Sequence, residues 1–291
     1  MGALLGVTNT IIYAEDWAIA LQDRLQQQVK WKDICKVDYT NGRVLNNPYL
    51  TDPTVQTGLR GTPYTPQSIV ETNESITINT FKILPQVIDR ADLAQSTYMR
   101  QMEMADRQGV LLNEAIESAL YASHASWTDF GAGDVAGTST ADTTTITVSI
   151  TNIDDIILTI IKTIEVANGQ SLLARNGGFV VWRPADFLLL KSFMMSNGFA
   201  SADMALRNGV TEGIDYMGLT HYTSNLLTVN HVFAGVKKAP YIGICKDTYG
   251  QVMVNEKDPG LISGIAVVSR VDYAVKAWNN VKPIIFDVNV A

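Results

Sequence analysis

DRADLAQSTYMRQMEMADRQGVLLNEAIESALYAS, residues 89–123, is the stretch on which the reading of the fold turns. Tyr98, Met102, Ala105, Gly109, Leu112, Ile116 and Ala119 recur at alternating four- and three-residue steps, which makes one stripe on an α-helix. Asp89 at the N-cap and Asp92 just inside the first turn suit the positive end of the helix dipole. A helix from about Ala91 to Ser123 spans about 50 Å at 1.5 Å per residue. That outruns the usual 8–20 residues and reads as a structural strut. The spacing also suits a coiled coil, but the small Ala105 and Gly109 favour packing on a sheet. Gly109 costs about 1 kcal/mol against Ala inside a helix, so it is expected to permit a bend or a close approach by a strand.

Upstream of the strut, Asn41 to Leu84 is rich in Gly, Pro, Thr and Asn, with Pro48, Pro53, Pro63 and Pro66. A compact domain rarely carries so long a helix-free stretch without a use for it. Ile76-Thr77-Ile78-Asn79 alternates like a half-exposed strand, and Phe81 and Ile83 resume the alternation after a one-residue shift. An extended β-ribbon is predicted. With few apolar residues it cannot build its own core, so it is expected to lean on another molecule. Earlier still, Trp17, Leu21, Leu25 and Val29 form a single stripe on a predicted helix over Ala14–Trp31. That helix reads either as an ordinary domain helix or as an arm docking on a neighbouring subunit.

Downstream, Trp127–Thr151 is a Gly- and Thr-rich loop ending in a predicted strand, Thr145–Ile150. Asn152 is expected to cap a helix over Ile153–Asn168, stopped by Gly169. Phe179-Val180-Val181-Trp182 reads as a short buried strand, and Ala185–Met195 as a third helix after Pro184. Strand signals recur at Tyr216–Tyr222 and Tyr241–Cys245. At the end, Ile265, Val267, Ser269, Val271, Tyr273 and Val275 alternate. Asn279-Asn280 offers a turn, and Ile284, Phe286, Val288 and Val290 alternate back, predicting a hairpin. Helices and strands interleave without βαβ regularity, so the class is α+β.

Chemistry-bearing motifs are scarce. Charged residues make up 18% of the 291 and the net charge is −7, which argues against nucleic-acid affinity driven by overall charge. The densest apolar run, Ile156–Ile161, is far short of a membrane span. The start of the chain lacks the basic region of a signal peptide, so a cytosolic product is expected. Cys35 and Cys245 are far apart and read as two reduced thiols. His124, His221 and His231 show no ligand spacing, so no metal site is expected. Asp154-Asp155 reads as helix-start electrostatics, and Lys237-Lys238 as a solvated turn. No phosphate-cradling glycine loop and no nucleophile elbow is present. No catalytic residue, cofactor or metal is assigned.

The order of elements carries more than any motif: amphipathic arm, long ribbon, strut helix, mixed domain and closing long strands. This order resembles the major capsid proteins of tailed bacteriophages, the Hong Kong 97-like fold that encapsulin shells also use. The stretches Phe179–Asp186, Ala234–Pro240 and Asp272–Val275 look like their counterparts there. The resemblance implies an N-arm at 1–40, an extended loop at 41–88, and a peripheral domain with its spine helix at 89–151. It further implies a mainly axial domain at 152–260 and a C-terminal β-hairpin of the peripheral domain at 261–291.

The implied function is self-assembly, as pentamers and hexamers of one chain, into the icosahedral head shell of a virion. Such a shell forms in the host bacterial cytoplasm and encloses packaged double-stranded DNA held without sequence specificity. Portal, scaffold and decoration proteins are the implied partners, with no membrane. Any scaffold is expected to be a separate protein, or absent, because scarcely a dozen residues precede the first predicted helix. Trp17, Leu21 and Leu25 on the arm, with Ile76, Ile78 and Phe81 on the ribbon, are the expected inter-subunit contacts. Gly58, Gly61 and the Gly/Thr-rich loop are the expected flexible joints. Lys82, the lysine on the extended loop, lies near its base and is given no crosslinking role. Two alternatives stay open: an encapsulin-like nanocompartment, and a soluble α+β enzyme with an unrecognised site, for which a polar concave pocket is expected.

Overall fold

The computed structural model describes residues 28–88, 100–197, 214–250, 252–255 and 265–291. In chain order it begins with a short helix α1 (Trp31–Ile34), β1 (Lys36–Thr40), β2 (Val44–Leu50), β3 (Glu71–Thr77) and β4 (Thr80–Ile88). A long helix α2 (Arg100–Ala122) follows, then β5 (Thr128–Phe130) and α3 (Ala132–Ala136). Next come α4 (Ile153–Val166), α5 (Gln170–Asn176), β6 (Gly178–Trp182), α6 (Pro184–Ser196), β7 (Ile214–Tyr216) and β8 (Leu219–Thr223). The chain ends with β9 (His231–Val236), β10 (Pro240–Cys245), β11 (Val252–Asn255), β12 (Ile265–Ala277) and β13 (Ile285–Asn289).

Two mixed sheets organise these elements. In the five-stranded sheet, β12 is the hub: it pairs antiparallel with β4, β10 and β11, and β1 adds to β10 in parallel. The six-stranded sheet runs β5-β13-β9-β6-β8-β7. The stretch Ala234–Pro240 is the crossing between them, taking the chain from β9 in one sheet into β10 in the other. A separate two-stranded ribbon, β2 with β3, stands apart from both.

The strut is present, and it packs on a sheet as its small residues suggest. Leu112, Ile116 and Leu120 are buried on α2, which lies against β12. A buried glutamine fixes that packing: Gln108 donates to the Val267 carbonyl at 3.2 Å and accepts from the Ser269 hydroxyl at 2.5 Å. Of the two uses expected of Gly109, the close approach of a strand is not seen, since a Cβ there meets nothing within 4 Å. Asp89, Asp92 and Tyr98 lie outside the described residues. So does most of the predicted helix Ala14–Trp31; Gln28–Lys30 is irregular, and the helix that follows starts at Trp31.

In the mixed domain α4 buries Ile153, Ile156, Ile157, Ile160 and Ile164, an i, i+3, i+4, i+7 stripe against the six-stranded sheet. Asn152 does not cap it in the expected way. Its side chain turns back to accept from the Ser149 amide at 2.8 Å and to donate to the Thr147 carbonyl at 2.8 Å. β6 is buried at every position, as a four-residue apolar run requires of a central strand. The predicted strand Thr145–Ile150 reduces to one bridge, Ile146 with Val290.

The predicted C-terminal hairpin does not form. β12 and β13 belong to different sheets, and two local causes are visible. The Asn279 amide, where a tight turn would open, is held at 3.1 Å by the carboxylate of Glu74 from the ribbon. The next residues wind helically, Lys282 donating to the Trp278 carbonyl at 2.9 Å. β13 then buries Ile285, Phe286, Asp287 and Val288 on both faces, so it needs a central position, which it finds between β5 and β9. Gly235 opposite Ile285 makes the approach feasible. It holds φ +154°, and a Cβ there would stand 2.6 Å from the Ile284 carbonyl oxygen.

Candidate assembly surfaces

The ribbon shows why a proline-rich sequence still projects as an ordered element. Val44–Leu50 and Glu71–Thr77 pair in an unbroken antiparallel register, and the Thr51 amide reaches the Val70 carbonyl at 3.0 Å. Beyond that point Pro53, Pro63 and Pro66 lack the N–H that a ladder needs. The Gln67 side chain takes over one rung, accepting from the Thr54 amide and donating to the Thr54 carbonyl, both at 2.8 Å. Gln56 donates to the Thr65 carbonyl at 2.9 Å, and Gly61 with φ +92° closes the tip.

At its base the ribbon is fastened to the body. Ile76 and Ile78 are 5% and 6% exposed and pack with Tyr241, Ala274 and Trp278 of the same chain. Their apolar area is already covered, so these two are intramolecular anchors and not the inter-subunit contacts expected of them. Lys276 adds a hydrogen bond to the Ser75 carbonyl at 2.8 Å. Burial and the Asp38 carboxylate together push the Tyr241 phenol well up, so it remains neutral.

Phe81 is placed differently. It lies on β4, opposite Asp272 of β12, and so belongs to the five-stranded sheet and not to the ribbon. The one-residue shift between Ile78 and Phe81 is the break between β3 and β4. Phe81 is 57% exposed, Ile83 46% and Val87 54%, and alternation puts all three on one face of β4. Arg270, held by Asp272 at 2.6 and 2.8 Å, lies 4.9 Å above the Phe81 ring. The tip of the ribbon adds Val55, Leu59, Tyr64 and Ile69, each at least 74% exposed. Of 18 exposed large hydrophobics among the described residues, 11 fall between Tyr39 and Val87. An apolar concentration of this kind marks a surface meant to be covered. Trp17, Leu21 and Leu25 lie outside the described residues.

The titratable groups inside the body do structural work. Glu117, fully buried on α2, accepts from the Trp31 amide at 3.2 Å, from the Lys30 amide, from the Tyr121 hydroxyl at 3.0 Å and from the Ser224 hydroxyl at 3.2 Å. It thereby ties the start of α1 to the strut. Burial raises its pKa, and the four hydrogen bonds oppose that rise in part. Cys35 is buried and its thiol is pushed well up, first by desolvation and then by Glu117, so it is no nucleophile. His221 accepts from the Trp182 indole at 2.9 Å, and burial lowers its pKa to about 4. A cleft of about 370 Å³ is lined by Lys36, Arg175, Lys237 and Lys238 beside Tyr241 and Trp278, with no carboxylate to form an acid–base pair. No single described helix is long and apolar enough to cross a membrane.

His124 and His231, far apart in sequence and unrelated by any motif, come together with Asp287. No signal along the chain announces this meeting, because β9, β13 and the end of α2 are brought together only by the sheet.

No protein-family model and no curated protein matches the sequence. The fold does match solved structures. A structure of Mycobacterium phage Che8 superimposes with TM-score 0.71 at 15% identity, covering 96% of this chain and 98% of that one. The capsid of an empty GTA particle gives 0.69 at 10% identity, covering 98% of each chain. The capsid of Ralstonia phage GP4 gives 0.64 at 9% identity, covering 100% of this chain and 99% of that one. Over its described residues this chain has the fold of phage capsid proteins.

Proposed function

We propose that this chain is a major capsid protein: one subunit of an icosahedral virion shell that encloses the double-stranded DNA of a tailed phage. The observation that carries the reading is the conjunction of that fold with a fastened ribbon and a β4 face whose apolar side chains the chain itself leaves open. A second copy is the occupant. In a closed shell every subunit has nearly the same neighbours, so one modest apolar contact recurs throughout. At about 25 cal/mol per Å², such contacts become decisive together.

In this reading the ribbon forms the extended loop, whereas Trp31–Thr40, fixed to α2 by Glu117 and paired into the five-stranded sheet, belongs to the body and not to an arm ending at residue 40. The five-stranded sheet with α2 makes the peripheral domain. The six-stranded sheet, β13 included, makes the axial domain around five- and six-fold positions. An acidic chain suits this role, because a packaging motor drives the genome in and the shell needs no net attraction for it. Portal, scaffold and decoration proteins would be its further partners, and assembly would take place in the host cytoplasm.

Negative-stain electron microscopy and size-exclusion chromatography of the full chain test the proposal. Closed shells tens of nanometres across are expected, with or without a co-expressed scaffold. A monomer that stays dispersed at high concentration and high salt overturns it, and closed shells that specifically retain an enzyme cargo would favour a nanocompartment over a phage head.

A further inference from the structure

We propose that His124, His231 and Asp287 form a binding site for a borderline transition-metal dication, Zn2+ foremost. The site rests on the fold of one chain and is independent of shell assembly. His231 is the first residue of β9 and pairs in register with Asn289 of β13, so Asp287, two residues earlier on β13, is its diagonal neighbour on the same face. His124 arrives from the 3-10 turn that follows α2. Its ring lies over that of His231, with centroids 3.9 Å apart and planes 31° from parallel.

Both imidazoles turn the same atom toward one carboxylate. Nδ1 of His124 is 3.2 Å from Asp287 Oδ2, and Nδ1 of His231 is 2.8 Å from Oδ1 and 3.0 Å from Oδ2. One ligand atom from each residue lies within 4.8 Å of the other two. Zinc bonds of about 2.0–2.1 Å at tetrahedral angles set ligand atoms about 3.3 Å apart, close to these separations. The Asp287 side chain is only 4% exposed, and among the described residues its ion-pair partners are the two histidines, with no lysine or arginine. That buried carboxylate therefore has no permanent counter-cation among the described residues.

The donor set selects the class of ion. Two imidazole nitrogens and one carboxylate oxygen suit Zn2+, Ni2+ or Cu2+, whereas Mg2+ and Ca2+ prefer oxygen alone. The histidine side chains are 31% and 21% exposed, which leaves an entry path and a fourth position for water. An ion held there would join the end of the strut to β9 and β13, locking the two parts of the body together.

The test uses the full chain, stripped with a chelator and titrated with Zn2+ by calorimetry, with Co2+ as a spectroscopic probe. One ion per chain at micromolar concentration is expected, with a tetrahedral Co2+ visible band lacking thiolate charge transfer and a melting temperature that rises with Zn2+. His124→Ala and His231→Gln, each checked for native circular dichroism, are expected to weaken binding at least about 100-fold. Cys245→Ser is expected to leave binding unchanged. Wild-type affinity in both histidine variants, no stoichiometric binding, or equal competition by Ca2+ each overturns the proposal.

Discussion

Replacing Phe81 by Asp separates folding from assembly. The ring is 57% exposed in the single chain. An aromatic side chain offers about 150–250 Å², so about 100 Å² of it is left for a neighbour. At about 25 cal/mol per Å² that is about 2–3 kcal/mol per copy, and a carboxylate placed in the same interface adds an unpaired charge to be desolvated. Within the chain the loss is small. The Arg270 guanidinium above the ring is worth about 0.5–1 kcal/mol at an exposed site. The new carboxylate would face Asp272 across the strands, an unfavourable cross-strand pair that the neighbouring Arg270 moderates.

The variant subunit is therefore expected to stay folded, with a melting temperature lowered by a few degrees, while the association constant of each interface that buries the ring falls more than about 30-fold. Phe81→Leu, which keeps most of the apolar area, is expected to assemble. The readout is the threshold concentration for shell formation by light scattering, with micrographs as the check. Phe81→Asp shells forming at the wild-type threshold would refute the assignment of the β4 face.

Four other outcomes are expected. Glu117→Ala strands four buried donors at about 1–3 kcal/mol each before relaxation, so a net loss of about 3–5 kcal/mol is expected in thermal or urea unfolding; Glu117→Gln, whose one oxygen still accepts from the two backbone amides while its Nε2 can only donate to the hydroxyls once they turn, should lose less, about 1–2 kcal/mol. Because the folded pKa of Glu117 is raised, the protonated form is favoured by folding; its contribution to stability is present at low pH and is lost as pH rises from about 4.5 through that raised value, a trend Glu117→Gln should abolish. His221 acts in the opposite sense, with a folded pKa of about 4 against an ordinary 6.5: its contribution is complete above pH 6.5 and falls by about 3 kcal/mol as pH drops toward 4, and His221→Gln should flatten that limb. Gly235→Ala should abolish soluble expression, because its Cβ meets the Ile284 carbonyl oxygen, whereas Gly109→Ala should raise the melting temperature through about 0.5–1 kcal/mol of helix propensity.

Elements defined by local periodicity were legible along the chain. The strut, the ribbon, the buried strand ending at Trp182 and the helix after Pro184 each declare themselves in their own stretch of sequence, because apolar spacing reports which face is covered. What the spacing does not report is by whom. Ile76 and Phe81 both look like ribbon residues awaiting a neighbour, yet Ile76 is closed off by Tyr241 and Trp278, and Phe81 stays open on another sheet. Glu117 reads as an ordinary polar helix position, and only the returning start of α1 makes it a buried cap.

The sequence by itself determined the α+β class, the long helix with its sheet-facing stripe and the projecting segment, and through their order the resemblance to phage capsid proteins. Tertiary structure alone decided that β12 and β13 part into two sheets, that the ribbon base is spent inside the chain, and that two distant histidines share one carboxylate. The division has a physical cause. Backbone preference and side-chain periodicity act over neighbouring residues, whereas strand pairing is a non-local contest won by whichever arrangement buries both faces of β13 and satisfies its backbone groups.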